Sequence, residues 1–492
     1  MSELPSDVHG HVLPRQISKR YPDLGPIFYI DTWPFGPPIL AVTSAEGANQ
    51  ITIAHSLPKF AMLREYMKPM TGGMDLTTLE GQEWKYWRNI FNPGFSYQHL
   101  MTMVPQMIKD ILIFCEILEH KAASDTVFAM DPLTINLNLD IIGRLALDIS
   151  FDSQRHKNSF TSALRSQIRW LSFGNEANLF ERWHPLRPIM TRLNTRSMVS
   201  FVSCELDRRF LRNVNHLDSA RRERSRTIID LALDQYLLEQ KDKSNGIHSM
   251  DATFKDAATC QIRTFLFAGH DTSSSTLCYC FHLLSIHSQV RDAAIKEHDN
   301  ILGPNPEQAA SVLTEKPHLL DQLPYTWAVI KETLRLYPPA SSTRQGEPGF
   351  DINAQDGCQC PTEGFLVWSN HLAIHRNPNS WNQPDDFLPE RWLTENPDPL
   401  RKAEKGAWRS FEYGPRNCIG QNLSLLELKL TLAITLRRFR VESSYDEFDK
   451  TNPRKTPKTV DGDRAYQVLS GAAHPSDGFP CKVFIRTQRL AS

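Results

Sequence analysis

Apolar residues recur at three- and four-residue intervals over much of this chain and cluster in short runs over the rest. Residues 421–438 carry Leu423, Leu426, Leu430, Ala433, Ile434 and Leu436, a recurrence that predicts an amphipathic helix. A longer helical stretch is predicted over residues 253–298, and another over 321–337, stopped by Pro338-Pro339. From about residue 97 to 300 the pattern is mainly helical. Two polar stretches, 216–226 and 239–250, interrupt it and read as solvated loops or helix ends. Strands are predicted at Ile27–Ile30 and Ile39–Val42, with Ser44 as the N-cap of a following helix. Residues 340–370 look strand-like, with turns at Glu347-Pro348-Gly349 and Asp356-Gly357, and the polar stretch 443–463 reads as a loop. The sequence shows no internal repeat and no linker between independent halves. The expected architecture is one large, mainly α domain with a minor β-rich region over residues 11–492, after an amino-terminal segment 1–10.

Composition narrows the function more than the fold. The 55 basic and 56 acidic side chains leave a net charge of −1, which argues against general nucleic-acid binding. Nine cysteines, an odd and scattered set, imply no disulfide framework and fit a reducing compartment or a cytosol-facing surface. Cys278-x-Cys280 and Cys358-x-Cys360 look like metal pairs, but neither has a second pair at zinc-like spacing. Residues 1–15 lack the apolar stretch of a signal peptide, and no apolar run is long enough to span a bilayer.

The chemistry-bearing residues stand apart from this background. In Phe411-Glu412-Tyr413-Gly414-Pro415-Arg416-Asn417-Cys418-Ile419-Gly420 a Gly-Pro-rich loop carries Cys418 to the start of the 421–438 helix. There unpaired N–H groups and the positive dipole end favour a thiolate, a suitable axial ligand for haem iron. A lone cysteine after a turn would otherwise read as structural. Ala268-Gly269-His270-Asp271-Thr272 breaks helix propensity inside a helix, which marks either a kink or a site. Asp271 and Thr272 supply an acid and a hydroxyl, both able to relay protons. Glu332 and Arg335 are helix neighbours among Val329, Ile330, Leu334 and Leu336; alone they describe a common surface pair, and if buried they need a further partner such as Arg391. Trp84 and Arg88 share a helix face and offer donors to a carboxylate, though an ordinary amphipathic helix would look the same.

The Cys418 loop resembles the haem-binding signature F-x-x-G-x-R-x-C-x-G of the cytochrome P450 superfamily, with every fixed position matched. Ala268–Thr272 resembles that family's A-G-x-[DE]-T, Glu332/Arg335 its E-x-x-R, residues 389–392 its P-E-R-[FW], and Trp84/Arg88 its W-x-x-x-R, all in family order. The resemblance runs from about residue 10 onward and implies the cytochrome P450 fold, a haem b cofactor and a metal ligand at Cys418. It implies that Thr272 orients the oxygen species, that Asp271 feeds protons, and that the Glu332–Arg335–Arg391 triad props the haem loop. Trp84, Arg88, Arg416 and Arg344 would hold the haem propionates, with Phe411 and Gly420 completing the cofactor loop. Eukaryotic members usually begin with a membrane anchor, and this chain begins about where their catalytic domain would.

The implied reaction is insertion of one oxygen atom from O₂ into an organic substrate. Electrons would come from an external NADPH-dependent reductase, because no flavin or nicotinamide domain is evident. Arg401, Lys402, Lys405 and Arg409 would greet an acidic partner, or simply form a solvated basic stretch. The rival readings are a haem-thiolate isomerase or dehydratase and a non-enzymatic haem sensor, against which the Asp271-Thr272 pair argues. Pocket-lining segments would be 62–81, 171–192, 262–268, 340–343 and 470–479, offering Leu171, Phe173, Phe265, Ser341 and Ser342 to a mid-sized, largely apolar molecule. The style of the chain resembles fungal members that decorate polyketides or other secondary metabolites. Location in the cytosol or on the cytosolic face of the endoplasmic reticulum, with peripheral membrane contact, is expected.

Overall fold

The predicted helix over 253–298 is two helices, Ala252–Ile286 and Ser288–Leu302, because the backbone of His287 leaves the helical region (φ −112°, ψ 78°). This is a computed structural model, and it describes residues 4–34, 36–171, 184–215, 227–241, 249–354, 357–393, 405–453 and 458–486. Asp251 caps the first of the two helices by accepting the N–H of Phe254. This central helix is hydrophobic on no single face, and it needs none, because other elements surround it. Helices Asp131–Leu147, Arg187–Asn215, Pro324–Leu336 and Gln421–Thr435 all pack on it. From Ala257 to Leu284 every residue is buried except Phe267, Ala268, Gly269 and Thr272. At Gly269 the neighbouring helix comes so close that an added Cβ would stand 3.0 Å from Ile142 Cγ1.

The strands are β1 (Ile27–Ile30), β2 (Ile39–Val42), β3 (Phe128–Ala129), β4 (Ser342–Gln345), β5 (Asp351–Asn353), β6 (Gln359–Pro361) and β7 (Leu366–Ser369). They continue with β8 (Phe439–Ser443), β9 (Gln467–Ser470), β10 (Ala472–Pro475) and β11 (Pro480–Ile485). The largest sheet has the order β1-β2-β7-β4; β2 and β7 are parallel, with Ile39 opposite Leu366 and Val42 opposite Ser369. Its apolar face (Leu40, Val42, Val367) packs with Trp381 and Ala407 into a core separate from the main helical one. β9 and β10 form a hairpin turning at Gly471 (φ +93°), and this hairpin lies on the central helix.

The predicted strands at Ile27–Ile30 and Ile39–Val42 form as read, and Ser44 accepts the N–H of Gly47 (3.2 Å). The 321–337 helix starts later, at Pro324, after a 3₁₀ segment, and the 421–438 helix stops at Thr435. The stretch 443–463 is not simply a loop: Ser443 ends β8 and Tyr445–Thr451 is helical, with Asp446 and Glu447 in its first turn. Residues 216–226 lie outside the described residues, and the start of the 239–250 stretch belongs to helix Ile228–Lys241. No helix among the described residues is long and apolar enough to cross a membrane.

Candidate active site around Cys418

Cys418 reaches the helix through two turns of chain that only glycine permits at one point. Gly414 has φ +126°, and an added Cβ would meet the carbonyl oxygen of Thr52 at 2.5 Å. Cys418 N–H donates to Phe411 O (2.9 Å), which closes the loop on itself. Gly420 is the N-cap of helix Gln421–Thr435 with an ordinary φ of −81°, and a Cβ there would stand 3.8 Å from Cys418 Sγ. Gly420 is therefore not required by backbone strain; what it supplies is a bare approach to the sulfur.

Cys418 keeps accessible surface where it lines a cavity of about 270 Å³ with Arg88, Asn417, Gln421 and Asn422 among others, while protein packs densely around the rest of its side chain. The protein around the sulfur nevertheless sets its electrostatics. Burial pushes the thiol up, and the N–H groups of Gly420 and Gln421, with the Arg88 charge, only partly pull it back. The two N–H groups act in the sense expected of the helix terminus, and a cation bound at the sulfur would favour the thiolate further.

The predicted carboxylate clamp divides in two. Arg88 donates to the carbonyl oxygen of Asn417 (2.8 Å) and to its side-chain Oδ1 (3.0 Å), so it braces the cysteine loop. Trp84, one turn earlier, carries the Arg416 guanidinium over its ring at 4.5 Å. Arg416 also donates to Leu79 O (2.7 Å) and pairs with Glu80. Arg344 on β4 is fully buried and donates to Leu57 O (3.0 Å), while its Nε and Nη2 have no hydrogen-bond partner. Lys59 joins this group: burial and then the Arg344 charge lower its pKa to about 7. Glu412 is the nearby counter-charge, its Oε2 3.5 Å from His371 Nε2. Arg344, with its two unpartnered buried N–H groups, stands with Arg416 and Lys59 in a basic cluster that would take anionic oxygens.

Behind the loop sits a fully buried network. Glu332 accepts both Nε (2.9 Å) and Nη2 (2.8 Å) of Arg335, Nε of Arg391 (2.9 Å) and the indole N–H of Trp392 (2.9 Å). Arg335 donates onward to the carbonyl oxygens of His375, Pro384 and Asp386. His375 Nε2 accepts the N–H of Arg409 (2.9 Å), and its Nδ1 then donates to Arg335 O (3.1 Å), the arrangement of a neutral ring. Burial holds its pKa well below 6.5, in agreement. Arg409 is fully buried on Glu412 (2.8 Å) and Asn49 (2.7 Å), which corrects its reading as a docking residue. Lys405 is exposed, and Arg401 and Lys402 lie outside the described residues.

On the central helix Thr272 Oγ1 donates to Ala268 O (3.0 Å). Asp271 turns the other way: its Oδ2 accepts the N–H of Ala472, and its Oδ1 accepts from His474 Nε2 (3.2 Å). The two side chains expected to act as a pair therefore do not share a hydrogen bond. Ser273, next in line, bonds Ser424 on the cysteine helix (3.0 Å), which fixes the Ala268–Thr272 segment against the element that carries Cys418. Of the expected pocket residues, Phe265 packs edge-on against Phe91 and Phe95 in the core, and Ser341 accepts the indole N–H of Trp368 (2.6 Å). Ser342 lies 3.4 Å from Lys59 Nζ, Leu171 is buried, and Phe173 lies outside the described residues.

The family model for cytochrome P450 matches residues 3–468. The chain belongs to the cytochrome P450 family. It is 40% identical over 481 residues to the cytochrome P450 monooxygenase polC of Polytolypa hystricis, covering 98% of this chain and 85% of that one. It is 33% identical to the cytochrome P450 monooxygenase acrF of Aspergillus aculeatus, covering 99% of both. Among solved structures it is similar in fold to a cytochrome P450 haem domain, P450DA, with a TM-score of 0.74, 20% identity and coverage of 97% and 93%. This P450 is a monooxygenase by its relatives, an enzyme class that uses an organic substrate, O₂ and a redox partner.

The family implies a haem-thiolate cofactor, and the residues present fit one. The unpartnered Arg344 Nε and Nη2, with Lys59 and Arg416, suit the two carboxylates of a haem, and an accessible cysteine just before a helix N-cap would supply a thiolate to its iron. Lys59, His371 and His474 escaped the sequence reading. None belongs to a motif, and each acquires its setting only through contacts distant in sequence: Lys59 and His474 across hundreds of residues, His371 across about forty. A lysine just after Pro58 carries no local signal of burial.

Proposed function

We propose that this P450 inserts one oxygen atom from O₂ into a largely apolar secondary metabolite such as a polyketide, using electrons from an external NADPH-dependent reductase. The observation that carries the reading is Cys418 itself: an accessible sulfur two residues before a helix N-cap, with N–H groups of Gly420 and Gln421 directed at it. Haem b, when bound, supplies the binding and cleavage of O₂. The chain's own residues do the rest. Cys418 would ligate the iron, and Arg416, stacked on Trp84, would hold the propionates with Arg344 and Lys59. Arg88 braces Asn417 and keeps the loop in place, Phe411 holds the Cys418 N–H, and Gly420 leaves the sulfur uncovered. Thr272 directs a proton from its hydroxyl, and Asp271 feeds that proton. Residues 11–492 act as one domain, at the cytosol or the cytosolic face of the endoplasmic reticulum with peripheral membrane contact.

The reduced carbon monoxide complex of the purified protein tests the ligation. The red-shifted Soret band of thiolate-bound haem is expected, and Cys418→Ala should abolish it. A histidine-type spectrum in intact protein would refute the assignment. Spin-state titration against candidate metabolites, followed by turnover with a reductase, identifies the substrate; oxygenated product containing one atom from ¹⁸O₂ is expected.

A further inference from the structure

Two buried polar side chains on facing helices are left short of partners. Gln167, on helix Ser159–Leu171, is fully buried, and neither its Oε1 nor its Nε2 has a hydrogen-bond partner. Arg263, on the central helix, is 3% exposed; its Nη2 donates to Pro69 O (2.7 Å), and its Nε has no partner. Both belong to one gap. Arg165 bears on His270 of the central helix through its charge. Further along the same helix as Arg165, Leu171 O accepts the hydroxyl of Tyr66 (3.0 Å) on helix Ala61–Thr71. The central helix spans the same interval, from His270 back to Arg263 on Pro69 of helix Ala61–Thr71. Gln167 and Arg263 therefore lie between shared end-points, on two helices that helix Ala61–Thr71 closes. Arg263 stands one turn before Phe267, where the accessible stripe of Phe267, Ala268, Gly269 and Thr272 begins.

We propose that Arg263 and Gln167 form the binding site for a carboxylate of the substrate, so that the apolar metabolite this enzyme oxidises is a carboxylic acid. The proposal rests on the reading of the chain as an oxygenase of a largely apolar metabolite, and adds the polar group that such a molecule carries. Arg263 supplies the positive charge and its Nε–H. Gln167 supplies its Nε2–H, and its Oε1 suits a hydroxyl beside the carboxylate. Thr272 stands about 14 Å further along the helix axis than Arg263, so the carbon oxidised is remote from the carboxylate.

Bracing does not account for these two groups. Pro69 O also accepts the hydroxyl of Thr195 (2.8 Å), so that helix end is capped without the guanidinium. Among the described residues no N–H of Arg263 reaches a carboxylate. Asp75 acts on it through charge, its own oxygens accepting the hydroxyls of Thr77 and Thr78. Burial lowers the Arg263 pKa to about 10, which leaves a cation at neutral pH. A buried cation and a buried amide with unmade bonds cost stability that the oxygens of a ligand would offset.

The test is calorimetric titration of the ferric holoprotein, with dodecanoic acid and its methyl ester as probes of equal apolar length. The acid should bind at least about tenfold tighter than the ester, the share of one charge-assisted hydrogen bond. Arg263→Leu should remove that preference, and Arg263→Lys should keep part of it. Gln167→Leu should weaken the acid by about fivefold, yet leave the ligand-free protein at least as resistant to heat as wild type, because apolar packing replaces two unmade bonds. If Arg263→Leu loses haem, Arg263→Lys and Gln167→Leu decide. Equal affinity for acid and ester in the wild type, or no binding of the acid, overturns the proposal. A ligand-free Gln167→Leu that unfolds at a lower temperature makes the amide a brace and overturns the site as drawn. Where the red-shifted carbon monoxide band is present and acid and ester bind alike, only the carboxylate site falls. A missing band removes the oxygenase reading, and the substrate assignment with it.

Discussion

A methyl group at position 414 would collide with the Thr52 carbonyl at 2.5 Å and would need a left-handed backbone, φ +126°. Gly414→Ala is therefore expected to cost about 1–3 kcal/mol and to shift the Cys418 loop. Thermal unfolding and haem retention measure this, and a variant as stable and as well loaded as wild type would disprove it. At Thr272 the expectation is the opposite. Among the described residues the side-chain hydroxyl bonds Ala268 O of its own helix, so Thr272→Ala should keep the fold and the haem. Product per NADPH should fall, with roughly 10²-fold or more lost in proton transfer, and Thr272→Ser should restore most of it. Single residues such as Cys418 and Thr272 stand out in the sequence because their neighbours form a fixed pattern. The orientation of Asp271 was not legible. It depends on Ala472 and His474, two hundred residues away, whose own surroundings look unremarkable in sequence.

Among the elements, helix Pro324–Leu336 ties the cysteine loop to the rest. Glu332 and Arg335 bind each other and the segment 384–392, His375 hands the connection to Arg409, and Ser410 donates to Leu334 O (3.1 Å). Glu332→Ala would leave Arg335 and Arg391 buried without their carboxylate, at a cost of roughly 3–5 kcal/mol. Little haem-loaded protein should be recovered, and normal loading with merely slower turnover would show the residue to act elsewhere. The pH sense follows from the same contacts. Burial alone would raise the Glu332 pKa, but Arg335 and Arg391 outweigh it and hold it below 4.5. Its stabilisation is therefore present above pH 4.5 and is lost as pH falls through the lower folded value. The helix itself was visible from its apolar period. The helix Tyr445–Thr451 was not, because Tyr445 is its sole buried residue and seven mostly polar positions carry no period. The break at His287 was hidden for the converse reason: the apolar pattern continues through it.

At the scale of the molecule, buried histidines set the response to acid. Burial lowers His11 to about 4 and His298 to about 3, and holds His375 well below 6.5. The unfolded chain takes up these protons near pH 6.5 and the folded one refuses them. Stability therefore declines as pH falls from 6.5, by about 1.4 kcal/mol per pH unit for each such group. His474 runs the other way: its contribution is fully present below pH 6.5 and is lost only as pH rises through its raised folded value. The unfolding temperature should thus drop between pH 7 and 5. His298→Gln, which can keep a bond to the Thr326 hydroxyl, should flatten that slope by about one proton's share, and an unchanged slope would refute the account.

The parallel pairing of β2 with β7 joins Val42 to Ser369. On a ribosome adding about 5–20 residues each second, β1 and β2 wait tens of seconds or more for that partner to emerge. Throughout that wait the edge of β2, with Ile39 and Leu40 on it, has nothing to pair with. The nascent amino-terminal hairpin is thus the segment of this chain in greatest need of a chaperone, and slower translation would lengthen its exposure rather than help it fold.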